Sequence, residues 1–114
     1  MAFARNDIVL VPFPFTDLTA TRVRPAIVMS PAFDEDETGD VILSMVTSQE
    51  HRLSTDTPLL DWRLAGLVMP SWVRIKLATI DRNLVQFSPG RLTARDAFAV
   101  EQKLRLARDL QGWL

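Results

Sequence analysis

A chain of 114 residues with 47% hydrophobic side chains is long enough for one domain with its own hydrophobic core. It contains no cysteine, which excludes disulfides and thiolate metal sites, and its formal net charge of −1 excludes a broadly basic surface. A site for a polyanion must therefore be a local basic cluster. Because no signal peptide or membrane-length apolar run is visible, we expect a single cytoplasmic domain over residues 1–114 with no membrane contact.

Three apolar segments in the first half of the chain predict strands. The run Ile8–Val11 is rich in β-branched residues and predicts a strand buried on both faces. Pro12 and Pro14 lack N–H donors, so its regular pairing should end there. The other two strands are predicted at Ala26–Met29, entered through Arg24-Pro25, and at Val41–Val46, which ends in Thr47-Ser48-Gln49. The polar segment between the first two strands, Thr16–Arg22, predicts a loop.

The second half of the chain predicts shorter strands and then a helix. Strands are predicted at Thr57–Leu60, Leu67–Met69 and Trp72–Leu77, and Thr79–Asp81 begins a further connection. The apolar period then becomes helical at Ala97, Val100, Leu104 and Ala107, widened by Phe98, Leu106 and Leu110. Thr93 and Asp96 fit a capping box at its start, and Gly112 suits its end. The sequence therefore predicts a mainly β fold, a small barrel or rolled sheet, with a C-terminal α-helix.

The residue types present exclude several kinds of catalytic site. His51 is the only histidine, which excludes a two-histidine nuclease mechanism and a typical zinc site. The four glycines are dispersed, so there is no glycine-rich phosphate loop. What remains is a set of basic and short polar side chains at the ends of predicted strands.

These strand-end residues could bind a phosphate group. Arg24 precedes Pro25, whose fixed backbone stiffens the strand entry, and an arginine held there offers a planar donor fork for phosphate. Thr47, Ser48 and Gln49 add hydroxyl and amide donors. Arg74 and Lys76 lie two residues apart on a predicted strand and so share a face. Such a set suits a phosphorane-like transition state, which needs positioned donors more than a covalent nucleophile.

Taken in order, the motifs resemble those of the MazF/PemK toxins of type II toxin–antitoxin systems. The resemblance begins at Asp7–Asp17 and Arg24–Val28 and continues through Val41–Leu43 and Val46–Gln49. It extends through Ala65–Leu67, Pro70–Arg74, Leu77–Asp81 and Gly90–Leu92, and so covers nearly the whole chain. Each motif is weak alone, but their order and spacing are fairly specific.

The resemblance implies a fold, an activity and partners. The family fold is a small SH3-like β-barrel of the MazF/CcdB type with a C-terminal helix. Family members are usually cytoplasmic homodimers that a cognate antitoxin inhibits. They cleave single-stranded RNA at selected sequences without a metal or cofactor. The ribose 2′-OH attacks the adjacent phosphate, which gives a 2′,3′-cyclic phosphate and a 5′-OH.

By similarity, Arg24, Thr47 and Arg74 are the expected catalytic residues. Ser48 and Gln49 would flank the phosphate, and Phe15, Asp17, Arg22 and Lys76 are the other expected substrate-binding residues. The loop Thr16–Arg22 would close over the RNA. Phe15, Trp62 and Trp72 are candidates for stacking on splayed bases.

The chain departs from the family after Arg74. Members that use this arginine have an acidic residue shortly after it, whereas Ile75-Lys76-Leu77 follows here, and the loop histidine of some members is absent. Arginine cannot serve as the base, so Arg24 is assigned to charge stabilisation with leaving-group protonation, and Thr47 to orienting a phosphate oxygen. The base is then a loop carboxylate such as Asp17, or in-line alignment supplies most of the rate. Lys76 would compensate electrostatically for the missing acid.

Two rival interpretations stay open at this point. A gyrase inhibitor of the CcdB type shares the fold but acts through its C-terminal end, where Trp113 lies in this chain. A non-catalytic member that binds RNA or antitoxin is suggested by Lys76 and the absent loop histidine. The Arg24-Pro25 and Thr47-Ser48 pairs favour the ribonuclease.

Overall fold

Six antiparallel strands and one long helix make up the described part of the chain. The structure is a computed structural model and describes residues 3–12, 23–30, 39–49 and 53–111. The elements are β1 (Asp7–Pro12), β2 (Val23–Val28), β3 (Asp40–Thr47), β4 (Thr57–Pro58), β5 (Trp72–Asp81), a 3-10 turn (Arg82–Leu84), β6 (Phe87–Arg91) and α1 (Ala94–Gln111). The strands pair in the order β4-β5-β3-β2-β1-β6 in one curled sheet, a half-barrel. This architecture confirms the predicted small, mainly β fold with a C-terminal helix.

The central strands are buried on both faces of the sheet. In β1, Val9 and Val11 lie on one face and Ile8 on the other, and none is accessible to solvent. The first face carries the strand cluster, formed by Phe3, Val9, Val11, Ala26, Val28, Val41, Leu43, Ala78 and Ile80. The opposite face carries the helix cluster, formed by Ile8, Ile27, Val46, Leu59, Ala65, Val73, Leu92 and Val100. A one-residue slip would exchange the two sets, so burial on both faces fixes the register.

Some strand boundaries differ from those predicted. β2 begins at Val23, so Arg24 and Pro25 lie inside the strand and not before it. Thr79–Asp81, predicted to begin a connection, extends β5 instead. β6 was not predicted, because Pro89 and Gly90 weaken its strand pattern. It lies at an edge of the sheet, where proline is tolerated.

The predicted strand at Leu67–Met69 is wrong, because this segment leaves a helical turn over residues 60–65. Gly66 ends the turn with a φ of 90°, in the left-handed region that favours glycine. Its N–H donates to the Arg63 carbonyl at 3.1 Å, and the Leu67 N–H donates to the Trp62 carbonyl at 3.0 Å. This pair of bonds is the Schellman pattern of a helix C-terminus. Residues 67–69 then run to Pro70 without strand pairing.

The predicted capping box at the start of α1 is also wrong, because its two side chains bind another segment. The Asp96 carboxylate is 1% exposed and accepts the N–H groups of Leu60 at 3.1 Å and Asp61 at 2.8 Å. It therefore caps the helical turn over residues 60–65. The Thr93 hydroxyl donates to Asp61 at 2.6 Å, and Arg95 holds the same carboxylate through two bonds of 2.6 and 2.7 Å.

The buried stripe of α1 is narrower than predicted. Val100 and Ala107 are buried, and Ala97 packs against the helix cluster. Phe98 and Leu106 are exposed, so they do not widen the stripe. The side chain of Leu110, together with Gly112, lies outside the described residues. Within the part of the chain that the structure describes, no helix is long and apolar enough to cross a membrane.

Replacing Gly66 with alanine should destabilise the fold. The new Cβ would lie 2.5 Å from the Pro89 carbonyl oxygen, on a backbone that L residues rarely adopt. We expect Gly66→Ala to lower the free energy of unfolding by about 2 kcal/mol or more, measured by urea denaturation. Gly39→Ala is the control, because its nearest neighbour would be 4.0 Å away. Equal effects of the two changes would contradict the close packing at Gly66.

The bonds to Asp61 predict a stability that depends on acid pH. Hydrogen bonds from Arg95 and Thr93 lower the pKa of Asp61 from 3.8 to about 2. The folded state therefore favours the ionised carboxylate, and its contribution is present above about pH 4 and lost as the pH falls towards 2. Melting temperatures between pH 5 and 2 should fall more steeply for the wild type than for Asp61→Asn. Asp109→Asn, at an exposed helix position, should follow the wild type.

Candidate active site

A row of cross-strand neighbours brings Thr47, Trp72 and Arg24 together. Thr47, the last residue of β3, pairs with Trp72, the first residue of β5. Continuing the β2–β3 register from Ala26–Met45 by two residues places Arg24 opposite Thr47, and Arg24 itself pairs with Val11 of β1. Directly opposed residues share a face. We call these three residues the polar row. It continues the face of the strand cluster, to which Val11 belongs.

Arg24 brings a buried, unpartnered donor to this row. Its Nε is buried, and no described residue accepts a hydrogen bond from it. The neighbouring residue Pro25 pairs with Leu10, so the backbone on both sides of Arg24 is held within the sheet. Leaving such a donor without a partner costs about 1–3 kcal/mol. A buried donor without a partner is suited to donate a hydrogen bond to an anionic oxygen of a ligand.

The Thr47 hydroxyl is oriented by its own backbone. Thr47 is buried, and its Oγ1 accepts the N–H of Gln49 at 3.1 Å. The oxygen is thereby used as an acceptor, which leaves its proton to be donated elsewhere. Thr47 is thus placed as a hydrogen-bond donor beside the cation of Arg24.

Arg24 and Thr47 line one pocket of about 210 Å³. Its polar lining comes from Arg24, Thr47, Ser48 and Ser71. Its apolar lining comes from Val23, Pro25, Met45, Val46, Leu67, Val68 and Met69. The pocket therefore combines a small cluster of hydrogen-bonding groups with an apolar lining, the general form of a ligand site.

Arg74 is held by a carboxylate that sequence reasoning missed. Its Nε and Nη2 donate to the two carboxylate oxygens of Asp56 at 3.1 and 2.9 Å, and Asp56 also accepts the Leu53 N–H at 3.2 Å. These bonds raise the pKa of the Arg74 guanidinium, so the cation is permanent. The β4–β5 register, continued from Thr57–Val73, places Asp56 opposite Arg74. The carboxylate that binds Arg74 thus comes from the residue before β4 and not from the segment after Arg74.

A bulge at Ile75 and Lys76 separates Arg74 from the second half of β5. Met45 pairs with Arg74 while the preceding Ser44 pairs with Leu77, so Ile75 and Lys76 have no paired residue on β3. The Ser44 hydroxyl donates to the Arg74 carbonyl, which satisfies backbone at the bulge. Lys76 is exposed, and neither Lys76 nor Arg74 lines the pocket. Arg74 lies on the face of the polar row, opposite Met45 and two residues from Trp72, but it does not line the pocket.

The other residues that were predicted from the sequence differ in where they lie. Ser48 lines the pocket, whereas Gln49 is exposed and contributes its backbone N–H to Thr47. Phe15, Asp17 and Arg22 lie outside the described residues, as do His51 and Trp113. Ser71 and the wall Leu67–Met69 line the pocket but were not singled out from the sequence, where Pro70-Ser71-Trp72 gave the only signal.

Of the two described tryptophans proposed for stacking, only Trp72 lies at the polar row. Trp62 packs against the helix cluster on the other face, and the Arg63 guanidinium lies 4.9 Å from the centre of its ring. Trp72 is partly exposed. Among the described ranges, no group of three His, Asp or Glu side chains is placed to hold a metal ion.

Comparisons with known proteins agree with this architecture. A family model described as "PemK-like, MazF-like toxin of type II toxin-antitoxin system" matches residues 4–107. No curated protein matches the chain.

Solved structures show the same fold. An endoribonuclease in complex with its cognate antitoxin, from a mycobacterial species, superimposes with a TM-score of 0.76 at 15% identity, covering 96% of this chain and 97% of that one. A MazE–MazF structure from Deinococcus radiodurans gives 0.74 at 23% identity and covers 98% of both chains. The toxin MazF-mt6 of Mycobacterium tuberculosis gives 0.71 at 20% identity, covering 90% of this chain and 96% of that one.

The bond between Asp56 and Arg74 should contribute strongly to stability. Asp56→Ala would leave the Arg74 cation with 15% side-chain exposure and without its carboxylate. We expect a loss of about 3 kcal/mol in the free energy of unfolding, measured by urea denaturation. Adding Arg74→Met should recover part of this loss, because no unpaired charge then remains. Asp109→Ala, at an exposed ion pair, should change stability by less than about 0.5 kcal/mol. Equal losses for both aspartates would contradict this assignment.

Proposed function

Because the chain belongs to the PemK-like, MazF-like family of toxins of type II toxin–antitoxin systems, we propose that it cleaves single-stranded RNA as an endoribonuclease. The membership confirms the family predicted from the sequence. The observation that carries the proposal is the pairing of the unpartnered Nε of Arg24 with the oriented hydroxyl of Thr47 in one pocket. These two donors suit a scissile phosphate.

The proposed reaction is an internal transfer of the phosphodiester. The 2′-oxygen of the ribose forms a bond to the adjacent phosphorus, and the bond from phosphorus to the 5′-oxygen of the next nucleotide breaks. The 2′-hydroxyl loses its proton to a base, and that proton is returned, directly or through solvent, to the departing 5′-oxygen. The products are a 2′,3′-cyclic phosphate and a 5′-OH, and no water, metal or cofactor enters the balance.

Arg24 and Thr47 stabilise the negative charge that grows on the phosphoryl oxygens. The Arg24 guanidinium supplies a fixed cation, and the Thr47 hydroxyl donates to a second oxygen. Arg24 would also donate a hydrogen bond to the departing 5′-oxygen. Charge neutralisation by these protein donors is the reason that we propose a reaction independent of metal ions. Ser48 lines the pocket and would donate to the phosphate, and Gln49 acts through its backbone N–H, which orients Thr47.

The proton acceptor is the open role in this mechanism. Asp56 is unsuited to it, because both of its oxygens are bonded to Arg74. Asp17 stays our candidate, and Arg22 and Phe15 would contact the RNA. In-line alignment of the 2′-oxygen supplies the remaining rate.

We propose that Arg74 acts on the same phosphodiester through its third nitrogen. Nε and Nη2 are bonded to Asp56, so a contact with RNA falls to Nη1. Arg74 lies two residues from Trp72 of the polar row, within diagonal reach of its neighbours. Lys76, exposed on the adjacent bulge, would contact the RNA backbone further along.

The proposal includes the partners implied by the family. We propose that the chain acts as a homodimer in the cytoplasm, where its RNA substrates are, and that a cognate antitoxin inhibits it. An antitoxin segment that covers the pocket would exclude RNA from Arg24 and Thr47. Cleavage would be selective for sequence, because a pocket of this size can hold one base and favour the base that fits its lining.

Cleavage of RNA by the purified protein tests this function. With a mixed-sequence single-stranded RNA and excess EDTA, we expect Arg24→Gln and Thr47→Val each to lower kcat by about 10²–10³-fold, as removal of a transition-state donor does. Arg108→Gln and Thr79→Val change the same residue types at exposed positions and should cleave as the wild type does.

Two results would contradict the proposal. Cleavage that disappears with EDTA would overturn the metal-independent chemistry. Intact RNA with folded wild-type protein would overturn catalysis and favour a member that only binds RNA or antitoxin, or one that acts on gyrase.

A further inference from the structure

We propose that the pocket wall at Leu67–Ser71 recognises one nucleobase of the RNA next to the scissile phosphate. This inference rests on the proposed function and names the part of the same site that selects sequence. The apolar wall is defined as Leu67, Val68 and Met69, and Ser71 is its polar end. All four residues line the pocket that contains Arg24 and Thr47.

The wall presents apolar side chains to solvent beside a phosphate-binding pair. Leu67 packs against the helix cluster. The next two residues turn towards solvent, since Val68 is 89% exposed and Met69 is 48% exposed. Exposed apolar surface grouped at a polar pocket is typical of a binding site. The faces of nucleobases are apolar and stack on or pack against such surfaces with little regard to sequence.

The wall is held in place before any ligand binds. It follows the helical turn over residues 60–65, whose N-terminus is capped by the buried carboxylate of Asp96 and whose C-terminus is closed by Gly66. Binding to a surface that is already ordered avoids the entropy cost of ordering it. A fixed wall can therefore discriminate between bases by shape and hydrogen bonding.

Ser71 supplies a directional element to this wall. Ser71 is 6% exposed, and its hydroxyl donates to the Met69 carbonyl at 2.9 Å. Since the single hydroxyl proton is used, Oγ can only accept a further hydrogen bond. It would accept from an amino or imino group on a base edge. Ser71 thus favours a base that turns a donor towards it.

The dimensions of the pocket suit a single base and its phosphate. At about 210 Å³, the pocket is smaller than the roughly 300–1,000 Å³ of sites that enclose drug-sized ligands. The donors of Arg24 and Thr47 match the phosphate, and the wall matches the adjoining base. A protein segment would leave the two phosphate donors without an anionic partner unless it supplied a carboxylate, so RNA is the better occupant.

The first arm of the test measures cleavage selectivity. A random-sequence RNA is cut by wild type, Val68→Ala, Ser71→Ala and Leu64→Ala, and the cut ends are sequenced. Leu64 is the matched control, because it is 77% exposed in the same stretch but does not line the pocket. We expect Ser71→Ala to reduce the preference at one position beside the cut by about 2–10-fold, and Leu64→Ala to leave it unchanged.

The second arm measures binding without cleavage. The probe is the preferred RNA carrying a 2′-O-methyl group at the cleaved nucleotide, which removes the attacking hydroxyl. Val68→Ala should weaken its binding by about 5-fold, because it removes two methyl groups that would pack on the base. Methylating the donor of the selected base should weaken binding to the wild type more than to Ser71→Ala. Melting temperatures show that each variant is folded.

The outcomes separate this inference from the proposed function. Cleavage with the wild-type preference in both Val68→Ala and Ser71→Ala would overturn the base site and leave the ribonuclease intact. A wild type that binds the probe through Val68 and Ser71 but cuts no RNA would support the base site and overturn catalysis. Absence of both probe binding and cleavage in the folded wild type would overturn the base site together with the ribonuclease.

Discussion

Burial of the sheet on both faces is the constraint on which the candidate site depends. The strand cluster and the helix cluster alternate along β1, β2 and β3, so each strand has one register in which both sets are buried. That register places Thr47 beside Trp72 and, continued by two residues, opposite Arg24. The donors of the polar row are therefore positioned by core packing some distance away, and they need no bond to each other to stay aligned.

A second set of contacts connects the helix to the pocket. Asp96 of α1 caps the helical turn over residues 60–65, and Asp61 of that turn is held by Arg95 and Thr93. Gly66 then lets the chain leave the turn against β6 and enter the pocket wall. A helix that contributes no residue to the pocket lining thus fixes one side of the site. Polar side chains near the start of α1 are thus hydrogen-bonded to the neighbouring turn and not to the N-terminus of their own helix.

The sequence allowed the architecture to be predicted, for physical reasons that can be traced to particular residues. The strand at Ile8–Val11, buried on both faces, and the helical stripe through Val100 and Ala107 depend on local residue type and spacing, which the sequence carries. Thr93 and Asp96 also matched the sequence pattern of a capping box, but the groups to which they are hydrogen-bonded lie more than 30 residues away in the chain. The run at Leu67–Met69 resembled a strand because pattern alone does not reveal that Gly66 closes a turn.

The same limit applies to the site residues. Arg24 and Thr47 could be selected because each ends or enters a predicted strand, and the structure places both in one pocket. Asp56 could not be paired with Arg74 before the register of the two-residue strand β4 was known. Ser71 was missed because nothing in its sequence context shows that its hydroxyl proton is already donated to Met69.

The most direct test of the account is the fate of one RNA in two forms, with EDTA present throughout. The first form is all-ribose, and the second carries a single 2′-deoxy nucleotide on the 5′ side of the preferred cut. We predict that the first yields a 2′,3′-cyclic phosphate and a 5′-OH by mass spectrometry, and that the second stays intact at that position. Cleavage of the deoxy form, or ends with a 3′-OH and a 5′-phosphate, would contradict attack by the 2′-hydroxyl at Arg24 and Thr47.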